Sequence, residues 1–166
     1  NRVTIPAIPF IVYENRFSLS GGLELVRFLP DNLSLIIKNE ERKIAYQNIL
    51  ESEVDLELVI SNSILSPQIN GQILLSNGIL NVNNLLKMGE DMNLSFYSPI
   101  ADNNSSQQLD VNIELLDPFK LKMNNAEIEI IGKIILNGSL LNPTPNGTLA
   151  LKKGYFIYFD KRFTIL

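Results

Sequence analysis

Carboxylates are the only side chains in this chain that come in pairs suited to acid–base work. Asp55 and Glu57, Asp110 and Glu114, and Glu127 and Glu129 each fall on one face of an extended segment. A glycosidase-type pair needs one acid whose pKa is raised by a partly dry cleft. Each of these pairs instead alternates with aliphatic residues, which places it on the solvated side of a strand where charge costs little. With no histidine and no cysteine there is no Ser-His-Asp or Cys-His triad, no usual zinc site and no disulfide framework. Asp102, Asn103 and Asn104 offer oxygen ligands of the kind calcium takes, but they sit in a polar stretch that reads as a loop. Lys152, Lys153, Lys161 and Arg162 gather near the end of the chain, where they could meet lipid headgroups or simply solvent. No catalytic residue, no metal site and no cofactor site is expected, and the chain reads as a non-enzyme.

The elements that carry these residues are strands. Ile, Leu and Val total 54 residues against 5 Ala, an aliphatic content rich in β-branched side chains and poor in the best helix former. Twenty Asn, nine Gly and eight Pro supply turn residues. Period-two alternation runs through Val54, Leu56, Leu58 and Ile60, through Val111, Ile113 and Leu115, and through Phe119, Leu121 and Met123. Asp117 and Pro118 read as a turn between the last two runs. Ala126, Ile128, Ile130, Gly132, Ile134, Leu136, Gly138 and Leu140 share one parity, predicting a strand of about 15 residues with a kink at Gly132 or Gly138. "RFSLSGGLELVRF", "NLSLIIK" and "RKIAYQN" add strands, with "KNEERK" as a hairpin turn between the last two. Ala101 to Gln108 is expected to be a polar loop. Only "NNLLKMGED" around Leu85 could form a helical turn. The expectation is a dozen or more strands with essentially no helix. Without helices, an apolar sheet face is covered by a second sheet, by closure into a barrel, or by an apolar guest in a curled sheet.

A net charge of −4 with no basic stripe excludes nucleic acid as an expected partner. No apolar run approaches the roughly 18 to 20 residues that span a bilayer, and "NRVTIPAIPF" lacks the order of a signal peptide. The start without Met and the apolar end "RFTIL" suggest a segment of a much longer protein, so that any membrane anchor would lie outside it.

One sentence is written twice. "PQINGQILLSNGILNV" from Pro67 and "PTPNGTLALKKGYFIY" from Pro143 align without a gap, matching Asn70 with Asn146, Gly71 with Gly147, Leu75 with Leu151 and Gly78 with Gly154. Each copy reads as a turn-strand-turn-strand rung, with the second glycine allowing a reversal or bulge. Gly132, Ile134, Leu136, Gly138 and Leu140, then Asn142 and Pro143, then Gly147, Leu149, Leu151, Gly154 and Phe156 follow the pattern of the TamB (translocation and assembly module) C-terminal domain family in the AsmA-like group. The resemblance covers Leu109 to Leu166 well and Ser66 to Val82 fairly; Gly132 to Gly138 is spaced by six residues where the other copies have seven.

That resemblance implies an all-β fold: a long antiparallel sheet curled into an open, taco-like trough with an apolar interior, with residues 1–166 forming one such domain. It implies a protein held in the inner membrane by parts outside this segment, lying in the periplasm or a plastid intermembrane space, and meeting an outer-membrane barrel of the Omp85 type. The work implied is non-enzymatic: carrying phospholipid between inner and outer membrane and supporting outer-membrane biogenesis. On this reading the acyl chains are lined by Leu56, Leu58, Ile113, Leu115, Leu121, Ile128, Ile130, Ile134, Leu149 and Leu151. The alternative is a module that assists barrel insertion or protein secretion by strand pairing. A secreted sandwich for adhesion or sugar binding is a weaker alternative, since there is no Trp and only eight Phe with five Tyr.

Overall fold

The computed structural model describes residues 2–27, 29–63, 66–91, 108–140 and 142–165. The expected polar loop and the candidate calcium ligands lie outside these residues, apart from Gln108, which opens a strand. Ten strands form one sheet: β1 (Arg2–Val12), β2 (Asn15–Val26), β3 (Leu29–Asn39), β4 (Lys43–Tyr46), β5 (Leu50–Ser63), β6 (Gln68–Asn81), β7 (Gln108–Met123), β8 (Ala126–Ser139), β9 (Asn142–Tyr158) and β10 (Lys161–Ile165). The order is β1-β2-β3-β5-β6-β7-β8-β9-β10, with β4 also paired to β5. Among the described residues β1 and β10 remain the two edges, so the sheet is curled but not closed into a barrel.

Ten strands fall short of the dozen expected, because several runs that look separate are single long strands. β9 spans 17 residues, about 55 Å at the usual rise per residue. Asp117 and Pro118 are no turn. They bulge out of β7, where the register against β8 steps from Leu115↔Gly132 to Phe119↔Ile130. Proline in a central strand is tolerated at such a bulge because its missing N–H falls outside the ladder. β8 is unbroken over 14 residues as its parity predicts, and its register shift lies between Glu129 and Ile130, opposite Lys152 of β9.

"KNEERK" is likewise no hairpin. β3 and β4 lie end to end along one edge of β5. At the junction the Asn39 side chain takes the place of a peptide group: it accepts from the Leu56 N–H at 2.7 Å and donates to the Val54 carbonyl at 2.8 Å. Asn15 does the same for β4, accepting from Ala45 N–H at 3.1 Å and donating to its carbonyl at 2.9 Å. Two amides thus satisfy strand groups that the break in pairing would leave open.

The helix found among the described residues falls on "NNLLKMGED", the only segment expected to turn helically, and it runs to ten residues. α1 (Val82–Asp91) follows β6, and β6 pairs with β7 in parallel. Parallel neighbours cannot be joined by a hairpin and need a crossover. Asn81 caps the helix, its Oδ1 accepting from Asn84 N–H at 3.2 Å. The Asn84 amide donates to Asn48 O at 3.1 Å, and Tyr46 donates its hydroxyl to Met88 Sδ at 3.4 Å. α1 is therefore tied to the turn between β4 and β5. It is not long and apolar enough to cross a membrane.

The repeated sentence is two strands, β6 and β9, rather than two folded rungs. Its Leu-x-x-Gly step encodes a bulge: the register shifts after Leu75 in β6 and beside Leu151 in β9. Its first glycine permits a close approach. A Cβ on Gly71 would lie 2.1 Å from Glu57 O, and one on Gly147 would lie 2.1 Å from Lys133 O. No side chain fits against a neighbouring carbonyl at that distance, so both positions are open to glycine alone. Gly78 has a packing role instead, since its Cβ would strike the ring of the buried Phe119.

Gly71→Ala is expected to lower stability by about 1–3 kcal/mol from backbone strain alone, and more once Glu57 O is displaced. A fall in the urea midpoint checks it; an unchanged midpoint removes the close approach from the account. Asn39→Ala should cost about 1–3 kcal/mol by stranding the Leu56 N–H, read in the same titration.

Candidate apolar trough

Register assigns every paired strand residue to a face, because the side-chain period is two. Val54 pairs with Leu75, Leu56 with Ile73, Leu58 with Gly71 and Ile60 with Ile69. Ile69, Gly71, Ile73 and Leu75 then meet Leu109, Val111, Ile113 and Leu115 of β7. Those meet Gly138, Leu136, Ile134 and Gly132 of β8, with Phe119 on Ile130 and Leu121 on Ile128. β9 continues the row with Leu149 opposite Gly132 and Leu151 opposite Ile130, and Phe156 passes it to Phe163 of β10. In the other direction Leu58 and Ile60 pair with Ile37 and Leu35, which meet Leu19 and Gly21, which meet Ile8 and Ile5. The apolar face is continuous from β1 to β10.

Charge is absent from this face among the described residues in register until Lys161, which sits opposite Tyr158 at the end of the last hairpin. The opposite face carries the ionised groups. Lys38 Nζ meets Glu57 at 2.7 Å, Lys120 meets Glu127 at 3.3 Å and Lys153 meets Glu129 at 3.4 Å. Asp55, Glu57, Asp110, Glu114, Glu127 and Glu129 all lie on that outer face. The carboxylate pairs that opened the search for chemistry are therefore spaced along a solvated surface, and two of them are bound into ion pairs with lysines from neighbouring strands.

All ten residues expected to line the trough fall on the apolar face: Leu56 and Leu58 on β5, Ile113, Leu115 and Leu121 on β7, Ile128, Ile130 and Ile134 on β8, Leu149 and Leu151 on β9. None is sealed. The eight on β5, β7 and β8 are half-buried, while Leu149 and Leu151 are 46% and 51% exposed. Among the described residues the buried apolar ones are few: Ile49, Val54, Val111, Phe119 and Ala126. Parity also holds for residues the expected set omitted, above all Ile73 and Leu75, Val111 and Leu136, and the β2 and β3 row of Leu19, Leu35 and Ile37. The alternation in "SLSGGLEL" and "NLSLII" is the signal that marks the β2 and β3 row.

The exposed area says the same thing in bulk. Accessible surface is 11771 Å², about 40% above the roughly 8,300 Å² of a compact monomer of this length. A second layer over the sheet would remove that excess.

A family profile, TamB C-terminal domain, matches residues 11–166. The chain belongs to the TamB C-terminal domain family. TamB is a non-enzymatic assembly and transport family of the bacterial envelope. The match begins within β1 and takes in the whole remainder of the sheet, so β2 to β5, which resemble the family only in their strand-like texture, are part of the TamB domain. Neither the curated proteins nor the solved structures yield a match.

At the α1 end, Tyr13 packs edge-on against Tyr46 with ring centroids 4.6 Å apart. The neighbouring Tyr13 hydroxyl holds the Tyr46 hydroxyl above the ordinary phenol range. The ion pairs of the outer face are half-exposed and contribute little. Glu57→Gln is expected to change stability by no more than about 1 kcal/mol, measured by thermal melting. A larger loss would mean that the outer face does more than stay wet.

Proposed function

We propose that the apolar face of this TamB domain is a conduit for phospholipid acyl chains between inner and outer membrane, in support of outer-membrane biogenesis. The observation that carries this reading is a face of ten strands without a charged residue in register before Lys161, left open instead of covered. The energetics need no chemical step. Each methylene leaving water gains about 0.8 kcal/mol, and a row of Ile and Leu repays it anywhere along the strands. Half of a bilayer core is about 15 Å deep. A strand of 14 residues, about 45 Å long, gives such a tail several equivalent positions, which is what passage along a groove requires. The headgroup stays at the open seam, where no pocket of fixed polarity selects it.

In this reading the domain lies in the periplasm as part of an inner-membrane-anchored protein, and its partner at the far side is a barrel of the Omp85 type, as the family resemblance implies. Strand pairing with a client protein has less to support it. The β1 edge carries Pro6 and Pro9, and the part of β9 that β10 leaves uncovered carries Pro143 and Pro145. Proline has no N–H to offer an incoming strand.

Native mass spectrometry of the purified protein is expected to find phospholipid or detergent bound in stoichiometric amount. Leu149→Glu puts a charge on the face at an already exposed position, so it should abolish bound lipid while the melting temperature moves by only a few degrees. A lipid-free protein that takes up no acyl chain, or a Leu149→Glu protein that binds lipid normally, refutes the conduit. Photo-crosslinking to protein at the β1 or β9 edge, with none to lipid inside the trough, would transfer the function to strand pairing.

A further inference from the structure

The turn between β9 and β10 is built at a cost that the sheet itself does not recover. Phe159 and Asp160 form its two-residue tip, both with positive φ, 46° and 56°. Such turns favour Asn-Gly or Asp-Gly because a bulky side chain at positive φ is strained. Here the first tip position is a phenylalanine, and it is 81% exposed. Its ring packs edge-on against Tyr158, with centroids 4.4 Å apart, and Tyr158 is itself 61% exposed. Strain and exposure also coincide at Tyr13 in the β1–β2 turn (φ 47°, 60% exposed), but Tyr13 packs on Tyr46 of another strand, whereas Phe159 packs on its own chain neighbour. Backbone strain of this kind points to function where packing does not account for it.

Charge concentrates around the same hairpin. From Asn142 onward the chain carries Lys152, Lys153, Lys161 and Arg162 against the single carboxylate of Asp160, although the whole protein is acidic. Lys161 follows the tip directly, and Lys152 sits in the β9 bulge. Neither forms an ion pair among the described residues. Arg162 lies over the Tyr155 ring at 3.8 Å, its guanidinium held outward. Below the tip, Phe156 stacks on Phe163 at 5.0 Å at the mouth of the apolar face, both of them exposed.

We propose that the β9–β10 tip is a membrane-docking element that inserts Phe159 and Tyr158 into the interface of an anionic lipid surface while Lys161 and Arg162 meet its headgroups. Aromatic rings settle at the headgroup level, and each basic residue near an anionic surface adds attraction that salt screens. The tip lies at the end of β9 where the apolar face of β8, β9 and β10 runs out, so docking would bring that end of the trough to the bilayer. The docking stands independently of acyl-chain binding in the trough, since it reads the tip and not the lining.

The chain contains no tryptophan, so Phe159→Trp creates a single fluorescent reporter at the tip. On vesicles of phosphatidylethanolamine and phosphatidylglycerol its emission is expected to shift to the blue and to be quenched by brominated acyl chains. The response should weaken as salt is raised and be much smaller on phosphatidylcholine alone. Tyr158→Ser with Phe159→Ser should lower co-sedimentation with the anionic vesicles about tenfold or more, a loss of about 1.4 kcal/mol, while circular dichroism stays that of the parent. Emission indifferent to vesicles, an equal response on neutral vesicles, or a folded double variant that binds like the parent overturns the proposal. The conduit is judged separately, by lipid bound to the parent protein in native mass spectrometry.

Discussion

Constant facing is the constraint on which this structure depends. In a sheet, slipping one strand by one residue turns its whole apolar set to the other side. Ten strands must therefore agree, and they agree across several bulges. Ile5 and Ile8, Leu75 and Leu80, and Leu151 and Gly154 are separated by odd numbers of residues, yet each pair lies on the apolar face because a bulge absorbs the extra residue between them. The bulges bend the strands, and the glycines at Gly71 and Gly147 let neighbouring backbones approach where a methyl group would block them. Curl and facing thus come from the same devices. A flat sheet of this width would keep the facing and lose the trough.

Stability in such a sheet cannot come from a deep core. Among the described residues five apolar ones are buried, and the ion pairs of the outer face are exposed enough to be worth little. What remains is ladder hydrogen bonding, chiefly along the eight strands of 11 to 17 residues, and the partial burial of aliphatic neighbours against one another across the face. This explains why side-chain amides matter at the one break in pairing. Where β3 gives way to β4, Asn39 and Asn15 restore the hydrogen bonds that the backbone does not make. In a two-layer domain a local gap would be tolerated by packing above it; here the described residues supply no second layer.

The facing was legible in the sequence, and so was the curled all-β class through the family pattern. Alternation states parity directly, and parity decided the placement of Leu56, Ile134 and Leu151 alike. Connectivity was less legible. Asp117-Pro118 has the composition of a turn, and only the partner strand decides whether a proline marks a reversal or a bulge within one strand. "KNEERK" is charged as hairpin turns are, but Asn39 at its start had a partner on β5, seventeen residues on, which no local reading detects. The repeated sentence carries its bulge at Leu-x-x-Gly, yet glycine spacing alone does not distinguish a bulge from a reversal. The parallel pairing of β6 and β7 had two signals that local alternation did not weigh. The connection from Asn81 to Gln108 is far too long for a hairpin, and Asn81 stands where a helix cap belongs.

An open apolar face of this size is a hazard in water, where patches beyond a few hundred Å² mark association or aggregation. Closing ten strands into a barrel would remove the hazard, and the sheet does not close. The edges are defended instead, with Pro6 and Pro9 on β1 and Pro143 and Pro145 on the uncovered stretch of β9. Prolines stop a second chain from extending the sheet but leave the face itself accessible, so protection is directed against strands and not against hydrocarbon. A closed barrel would admit a guest only through its ends, one tail at a time, and would have to accommodate or strip the headgroup. An open seam admits a tail sideways and leaves the headgroup in water, so desolvation of a charged phosphate, the largest cost in moving a phospholipid, is never incurred. The absence of closure, the absence of charge in register on the inner face before Lys161 and the prolines at the edges together support the proposed occupant, one that is apolar, elongated and free to leave along its length.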